Sequence, residues 1–365
     1  MSKSATAFSG VFIIGTGLLG TSLGLCLRGN GVPVWLSDLS SSAAALAADY
    51  GAGEVATPHP DEVEVVVVAT PPDVTASTVA QALTEFPQAL VIDVASVKRS
   101  VRDDLEGLGA DLSRYVGTHP MAGREKGGPT AARADLFVAR PWVVCAGDTV
   151  SAESISAVHG LVELCGATIH DMSAEDHDRI VAMVSHVPQV VSSVMAGALN
   201  GGDSKDLDLA GQGLRDVTRI AGSDPGLWIQ ILHHNAAPVS ALLADVAAQL
   251  NAAAVALSDT SVSGAKRELA ELLDAGVRGV SKIPGKHGLS KQFATLNVII
   301  DDKPGQLAAV LTDVGEIGVN LEDMRLEHSP GAAVGFVELS IQPERVHELA
   351  DALEARGWRI AGERA

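Results

Sequence analysis

The residue with the clearest capacity for proton chemistry is His119, set in Gly117-Thr118-His119-Pro120-Met121-Ala122-Gly123-Arg124-Glu125-Lys126-Gly127-Gly128. An imidazole takes up or releases a proton near neutral pH, which suits it to general-base work. The surrounding glycines and proline break regular structure, and no helix or strand period runs through the stretch. Short polar segments of this kind often mount functional groups. Alone, the stretch reads equally as a surface loop with an incidental histidine. Two cations stand out further on. Arg215 and Arg219 lie about one helical turn apart and share a face if the chain there is helical. In a chain of formal net charge −19, two guanidinium groups presented together make a clamp for carboxylates. The alternative is that they pair with the neighbouring Asp216 and Asp224.

The elements that would position these groups begin with Val11-Phe12-Ile13-Ile14, β-branched and apolar like a buried parallel strand. It runs into Gly15-Thr16-Gly17-Leu18-Leu19-Gly20, and an amphipathic helix continues from Thr21 to Arg28. In this pattern Gly15 allows the tight turn, Gly17 lets the backbone approach a pyrophosphate, and Gly20 lets helix and strand pack closely. The helix N-terminus offers unpaired N–H groups to phosphates. A second strand, Val32 to Ser37, ends at Asp38, where a carboxylate binds ribose hydroxyls and repels a 2′-phosphate. NAD is therefore favoured, while Ser40, Ser41 and Ser42 leave NADP open. Strands at Val63 to Ala69 and Leu90 to Val94, with a helix at Val74 to Leu83, continue the alternation. Trp142 to Cys145 and Ala167 to His170 read as two more strands around a helix at Ala152 to Leu164. Repeated strand–helix units predict a doubly wound parallel sheet of Rossmann type. Ligands bind beyond the carboxyl ends of such strands. Gly15, Asp38, Thr70, Pro71, Ser96 and the His119 stretch all fall there.

From Ser173 the pattern changes. Ser173-Ala174-Glu175-Asp176 fits a capping box that opens a helix. Ala182 to Leu199 and Pro225 to Leu257 are long Ala- and Val-rich helical patterns with too few polar positions to face water all round. Such helices pack in a bundle, often one shared between subunits, so a homodimer is expected. The 365 residues suffice for two or three domains. Three widely spaced cysteines, Cys26, Cys145 and Cys165, suggest neither a zinc site nor a disulfide framework. The negative charge disfavours nucleic acid and anionic membrane surfaces as partners. The N-terminus is short and polar, and the longest apolar run, Val63 to Ala69, is broken by Glu64 and far from span length. A cytoplasmic protein is the expectation.

Taken together, Gly15 to Gly20, Ala69-Thr70-Pro71-Pro72, Asp93-Val94-Ala95-Ser96-Val97-Lys98, His119 to Gly123, Ser185-His186-Val187-Pro188 and Leu214 to Ala221, followed by Trp228, resemble the prephenate/arogenate dehydrogenase family. The resemblance spans roughly residues 8 to 285, in the family's order and spacing. It implies NAD(P)-dependent oxidative decarboxylation of a small dicarboxylate: prephenate would give 4-hydroxyphenylpyruvate and CO2 in tyrosine biosynthesis. By this resemblance His119 is the catalytic base, and Ser96 orients the same C4 hydroxyl. Leu18 and Leu19 join the glycines in the cofactor loop. Arg219 holds the ring carboxylate, Arg215 lies near the side-chain carboxylate, His186 lines the substrate pocket, and Trp228 forms an aromatic wall. Glu125 makes an ion pair across the closed site. Arg124 departs from the pattern, since small hydroxyl residues are common there, and would add a cation near the pocket mouth. Aromatisation supplies the driving force, so no metal is expected. Gln189 departs from the pattern, since prephenate-specific members often carry His there. Arogenate dehydrogenase, forming tyrosine directly, is the alternative, and a non-catalytic NAD-binding sensor is a third reading.

After a polar linker around Ile283 to Gly288, the chain reads strand, helix, hairpin, helix, strand. This βαββαβ order predicts a small ferredoxin-like sandwich. It resembles an ACT domain, with Asp302-Lys303-Pro304-Gly305-Gln306-Leu307 and Asn320 fitting the ligand loop and the strand facing it. That resemblance implies tyrosine as a feedback effector bound near Pro304, Gly305 and Asn320; a purely structural module is the alternative. The expected domains are residues 1–172 for the cofactor, 173–285 for an all-helical substrate and dimerisation region, and 286–365 for the regulatory module.

Overall fold

The computed structural model describes residues 8–123, 127–203, 205–283, 293–328 and 334–361. Arg124, Glu125 and the linker residues 284–292 lie outside the described residues. Met1–Gly197 with Thr218–Val246 form one compact unit, and Ala198–Val217 with Ala247–Ala365 form another.

The first unit is built on β1 (Val11–Ile14), β2 (Val34–Ser37), β3 (Glu54–Val55), β4 (Val65–Val68), β5 (Leu90–Asp93), β6 (Tyr115–Pro120), β7 (Pro141–Ala146) and β8 (Thr168–Asp171). They form an 8-stranded sheet in the order β3-β2-β1-β4-β5-β6-β7-β8. Its helices are α1 (Leu18–Gly29), α2 (Ser41–Asp49), α3 (Pro72–Glu85), α4 (Arg99–Gly107), α5 (Ala152–Leu164), α6 (Ala174–Val181) and α7 (Val187–Ala198). Then come α8 (Gln212–Thr218), α9 (Pro225–His234), α10 (Ala236–Ser258) and α11 (Ala265–Val280). Successive strand residues point to opposite faces. Val11, Ile13, Val65, Val67 and Ile92 pack with Leu23 and Leu27 of α1 and Leu161 and Val162 of α5. Phe12, Val66, Val68 and Val91 pack with Val79 and Leu83 of α3, Val101 and Leu105 of α4 and Ile231 of α9.

The sheet is parallel from β3 through β6, but β7 runs antiparallel to β6 and β8 parallel to β7. The all-parallel expectation is therefore corrected at its last two strands. A parallel neighbour would need a crossover, usually a helix. Among the described residues the β6–β7 connection holds only a 3₁₀ turn, Pro129–Ala131. A second correction concerns Gly117 to Pro120, which belongs to β6 rather than to a loop. His119 pairs with Val143, so the ladder to β7 overrides the local breakers.

The Gly-rich loop behaves as its residue types require. Gly15 has φ +103°, and a Cβ there would lie 2.4 Å from Ala69 O. A Cβ on Gly20 would lie 1.9 Å from Gly15 O, whereas nothing lies within 4 Å of one on Gly17.

Two prolines perturb the long helical patterns, the first by widening a turn and the second at a break. Pro188 lacks an N–H and crowds the carbonyl four residues back, and the preceding turn, Ala182–His186, widens into a π-helix. Pro238 acts likewise, and α9 ends at His234 with Asn235 between it and α10. The stretch expected as one helix from Pro225 to Leu257 is thus two. Ala174–Gly201 and Ala236–Ser258 are long and apolar enough, by length and composition, to cross a membrane, which uninterrupted apolar runs did not reveal. The former carries the buried polar residues His177, Asp178 and His186.

In the second unit β9 (Ala294–Asp301), α12 (Gln306–Ile317), β10 (Asp323–His328), β11 (Val334–Ile341), α13 (Val346–Ala355) and β12 (Arg359–Ala361) follow the βαββαβ order. The antiparallel sheet has the order β10-β11-β9-β12, with Leu296, Val298, Val310, Val337, Leu339 and Leu353 in a core of its own.

Adding one methyl at Gly20 forces the Gly15 turn off the helix. Gly20→Ala should cost about 1–3 kcal/mol of stability, read as a lowered denaturation midpoint against a Gly29→Ala control, where a Cβ meets nothing within 4 Å.

Candidate active site

The carboxyl ends of β1, β4, β5 and β6 are neighbours on one edge of the sheet, and the strand order reverses at β1. Gly15, Thr70, Pro71, Ser96 and His119 are brought to that edge, as expected. Asp38 follows β2 on the other side of β1. One of its oxygens accepts from Thr16 N–H (2.6 Å) and Thr16 Oγ1 (2.9 Å), and the other accepts from Ser40 N–H (2.8 Å). The carboxylate thus braces the Gly-rich turn. Among the described residues no side chain caps the N-terminus of α1 at Gly17, and a Cβ on Gly17 would meet nothing within 4 Å. These are the features of a phosphate cradle, and they fit a dinucleotide.

His119 is 8% exposed. Its Nδ1 lies 2.8 Å from Nε2 of His177, and Nδ1 of His177 lies 2.7 Å from Oδ1 of Asp178. The Asp178 carboxylate also accepts from the backbone N–H groups of Lys98 (2.9 Å) and Arg99 (3.0 Å), which open α4. Burial, reinforced by His177, Lys98 and His186, holds His119 well below the usual imidazole pKa. Burial also lowers His177, although Asp178 opposes it. Burial alone would push the Asp178 carboxyl up, but its bonds from His177, Lys98 and Arg99 outweigh that and hold it below the usual range. At neutral pH the two imidazoles are neutral and the carboxylate is charged.

Beneath His119 lies a second buried cluster. Asp93, fully buried, accepts from Lys98 Nζ, from Tyr115 Oη (2.7 Å) and from Ala95 N–H (2.8 Å). Thr118 Oγ1 donates to its backbone carbonyl at 2.6 Å, tying β6 to β5. Lys98 is 1% exposed, and its ammonium pairs with the equally buried Asp93 carboxylate. That charge in turn disfavours protonation of His119.

His186 leaves the π turn buried, with Trp228 edge-on to it (ring centroids 6.0 Å apart, 82°). The Asn235 amide donates to Asp178 O (2.8 Å) and to His186 Nδ1 (3.0 Å), which places the His186 proton on Nε2. Gln189 is buried, yet among the described residues its amide makes no hydrogen bond. The Ser96 hydroxyl, half-buried, has no partner among them either. Arg219 is exposed and opens a 3₁₀ turn, Arg219–Gly222, because α8 ends at Thr218. The continuous helix assumed for Arg215 and Arg219 is therefore not present. The two also fall in different compact units. Asp224 caps α9 through Leu227 N–H, and Asp216 accepts from Gln212. Glu125 lies outside the described residues. In the second unit Pro304 and Gly305 sit in an exposed turn, Gly305 with φ +89°, and Asn320 donates to Glu322 at 3.3 Å.

Sequence reasoning did not single out His177, Asp178 or Asn235. The signal was there for the first two. On the short α6 they occupy the inward positions between Ala174 and Val181, where apolar residues would be expected. Polar residues at buried positions need partners.

Family models for the nucleotide-binding domain and the dimerization domain of prephenate dehydrogenase match residues 23–171 and 173–275. A probable prephenate dehydrogenase, NovF of Streptomyces niveus, is 36% identical over 354 residues, which is 95% of this chain and 98% of that protein. Among solved structures, a prephenate dehydrogenase from A. aeolicus in complex with hydroxyphenyl propionate and NAD+ is similar at TM-score 0.64 and 26% identity. The match covers 74% of this chain and 97% of that one. A Synechocystis arogenate dehydrogenase is similar at TM-score 0.60 and 25% identity, over 74% and 99%.

Burial of His186 has a consequence for stability. Its pKa falls from 6.5 to about 4, first through desolvation. Between those values the unfolded chain binds more protons than the folded one, so stability rises with pH through that window. Denaturation midpoints should fall as pH drops from 6.5 towards 4, and His186→Asn should flatten that slope.

Proposed function

This chain belongs to the prephenate dehydrogenase family, and we propose that the constellation around His119 is the active site that carries out the family's reaction. The enzyme is an NAD-dependent oxidoreductase that converts prephenate to 4-hydroxyphenylpyruvate and CO2. The observation that carries the site assignment is a buried His119, its basicity lowered by burial, on the strand-end edge that also bears the Gly-rich cradle.

Gly15, Gly17, Leu18, Leu19 and Gly20 would hold the pyrophosphate, Asp38 the adenosine ribose, and Thr70 and Pro71 the approach to the nicotinamide. When bound, NAD supplies the acceptor for the hydride that leaves C4 of the substrate ring. His119 draws the C4 hydroxyl proton, which its low pKa allows because the imidazole is unprotonated at neutral pH. Ser96 hydrogen-bonds the same hydroxyl and orients it. Departure of the ring carboxylate as CO2 leaves an aromatic ring, which makes the step strongly downhill. Arg219 is assigned to the ring carboxylate and Arg215 to the side-chain carboxylate. His186 offers its Nε2–H as a neutral donor in the pocket, and Trp228 supplies an apolar wall. Glu125 is assigned to the pocket mouth.

One residue favours a second substrate. Gln189 can neither carry positive charge nor titrate, so it does not repel the ammonium group of arogenate, and an arogenate dehydrogenase is among the similar structures. Activity on arogenate in addition to prephenate is the second reading.

Further assignments follow from the rest of the chain. The division at residues 172/173 and 285/286 is retained for cofactor, helical and regulatory domains. In the helical region Val194, Leu250, Val255, Leu273 and Val277 are exposed apolar side chains, which suits a homodimer. The βαββαβ module is assigned as an ACT domain with tyrosine as effector, bound near Pro304, Gly305 and Asn320. The charge balance argues for a cytoplasmic enzyme without nucleic-acid or membrane partners.

With prephenate and NAD+, His119→Asn should lower kcat by about 10²–10⁴, and turnover within a few-fold of the parent would refute the base assignment. Comparing kcat/KM for prephenate and arogenate decides between the substrates. Added tyrosine should inhibit the full chain but not a chain truncated near Lys291; equal response of both would remove the effector role.

A further inference from the structure

We infer that His177 and Asp178 are positioning residues that fix the tautomer of His119, so that it meets its substrate with the lone pair on Nε2. The inference rests on the reading of His119 as the base. Asp178 sets the direction of the bonds, because an ionised carboxylate can only accept hydrogen bonds. It takes the Lys98 and Arg99 N–H groups and, at 2.7 Å, Nδ1 of His177. His177 must therefore carry its proton on Nδ1; the other tautomer would set a nitrogen lone pair against a carboxylate oxygen. A neutral His177 then has its lone pair on Nε2. That atom lies 2.8 Å from Nδ1 of His119, and a hydrogen bond between them needs one proton. His119 supplies it from Nδ1, which leaves Nε2 of the neutral ring unprotonated.

The same three groups serve the ring after it has taken the proton. The His119 Nδ1–H already has an acceptor, and the far nitrogen of that acceptor is bonded to a carboxylate. Positive charge on His119 thus polarises His177 towards Asp178 with no movement of heavy atoms. The orientation of the base is set by the same contacts. His177 is fully buried and Asp178 is 5% exposed, so neither ring nor carboxylate exchanges its partners for water.

Asp178 also caps α4, so loss of activity on substitution would not by itself separate positioning from folding. Asp178→Asn separates them through the tautomer. Its amide N–H₂ turned to His177 Nδ1 would move the His177 proton to Nε2, and the His119 proton to its own Nε2, blocking the base. The expected outcome in the full-length chain is a kcat lowered by about 10²–10⁴ with KM for prephenate and NAD+ within a few-fold. Nitrogen-15 shifts of the His119 ring should report Nδ1–H in the parent and Nε2–H in the variant. A second pair guards against a variant that does not fold. His177→Gln keeps a carbonyl acceptor for His119 and should retain kcat within about tenfold, whereas His177→Leu should fall by about 10²-fold or more.

A parent His119 protonated on Nε2 overturns the inference. So do equal losses in His177→Gln and His177→Leu, or a folded Asp178→Asn with kcat near the parent's. A parent with the Nδ1–H tautomer but no turnover of prephenate upholds the relay and overturns the dehydrogenase reading instead.

Discussion

The site depends on the placement of one carboxylate. Asp178 must satisfy the N-terminus of α4, which follows β5, and hold His177, which in turn holds His119 at the end of β6. These partners come from three separate parts of the first unit. Buried with fewer donors, a carboxylate would cost several kcal/mol. With these donors it becomes a charged knot joining the sheet to α6. The Asn235 amide extends the knot from the backbone of Asp178 to His186.

Around this knot the electrostatics are arranged to keep the imidazoles uncharged. Lys98 contributes a fixed positive charge below His119, and Asp93 keeps that charge tolerable by pairing with it. Tyr115 donates to the same Asp93, and burial and the carboxylate push its phenol well above its ordinary pKa, so it remains a donor. A crowded Gly117 completes the packing: a Cβ there would lie 3.2 Å from both Lys98 Cδ and Tyr115 Oη. The residue two before His119 is therefore small because the Lys98 and Tyr115 side chains packed against it need the room.

Much of this was legible in the sequence, for identifiable reasons. Strands β1, β4 and β5 and the Gly-rich turn declare themselves because β-branched runs and glycines with steric duties leave few alternatives. The α5 helix, Ala152–Leu164, agrees with its expected bounds because Ser151 caps it and Gly166 ends it. The reversal of β7 was not legible, since strand direction is set by the connection and not by the strand's own residues. His119 looked like a loop residue because Gly117 and Pro120 mask a strand that exists only through its ladder to β7. The π turn before Pro188 and the break at Asn235 were hidden because the apolar helical pattern is unaltered on either side. His177 and Asp178 were hidden because adjacent polar residues on a short helix look like a solvated face.

The hydrogen bonds of the knot join residues far apart in the chain: 58 positions separate His119 from His177, and 80 separate Lys98 from Asp178. Closing contacts of such range costs chain entropy, which the packing of the whole unit must offset. In the unfolded chain His119 is an ordinary imidazole in water with an ordinary proton affinity. The depressed basicity of its ring is thus a property of the assembled unit, and the unfolded chain holds every chemical group of the site without holding the site's chemistry.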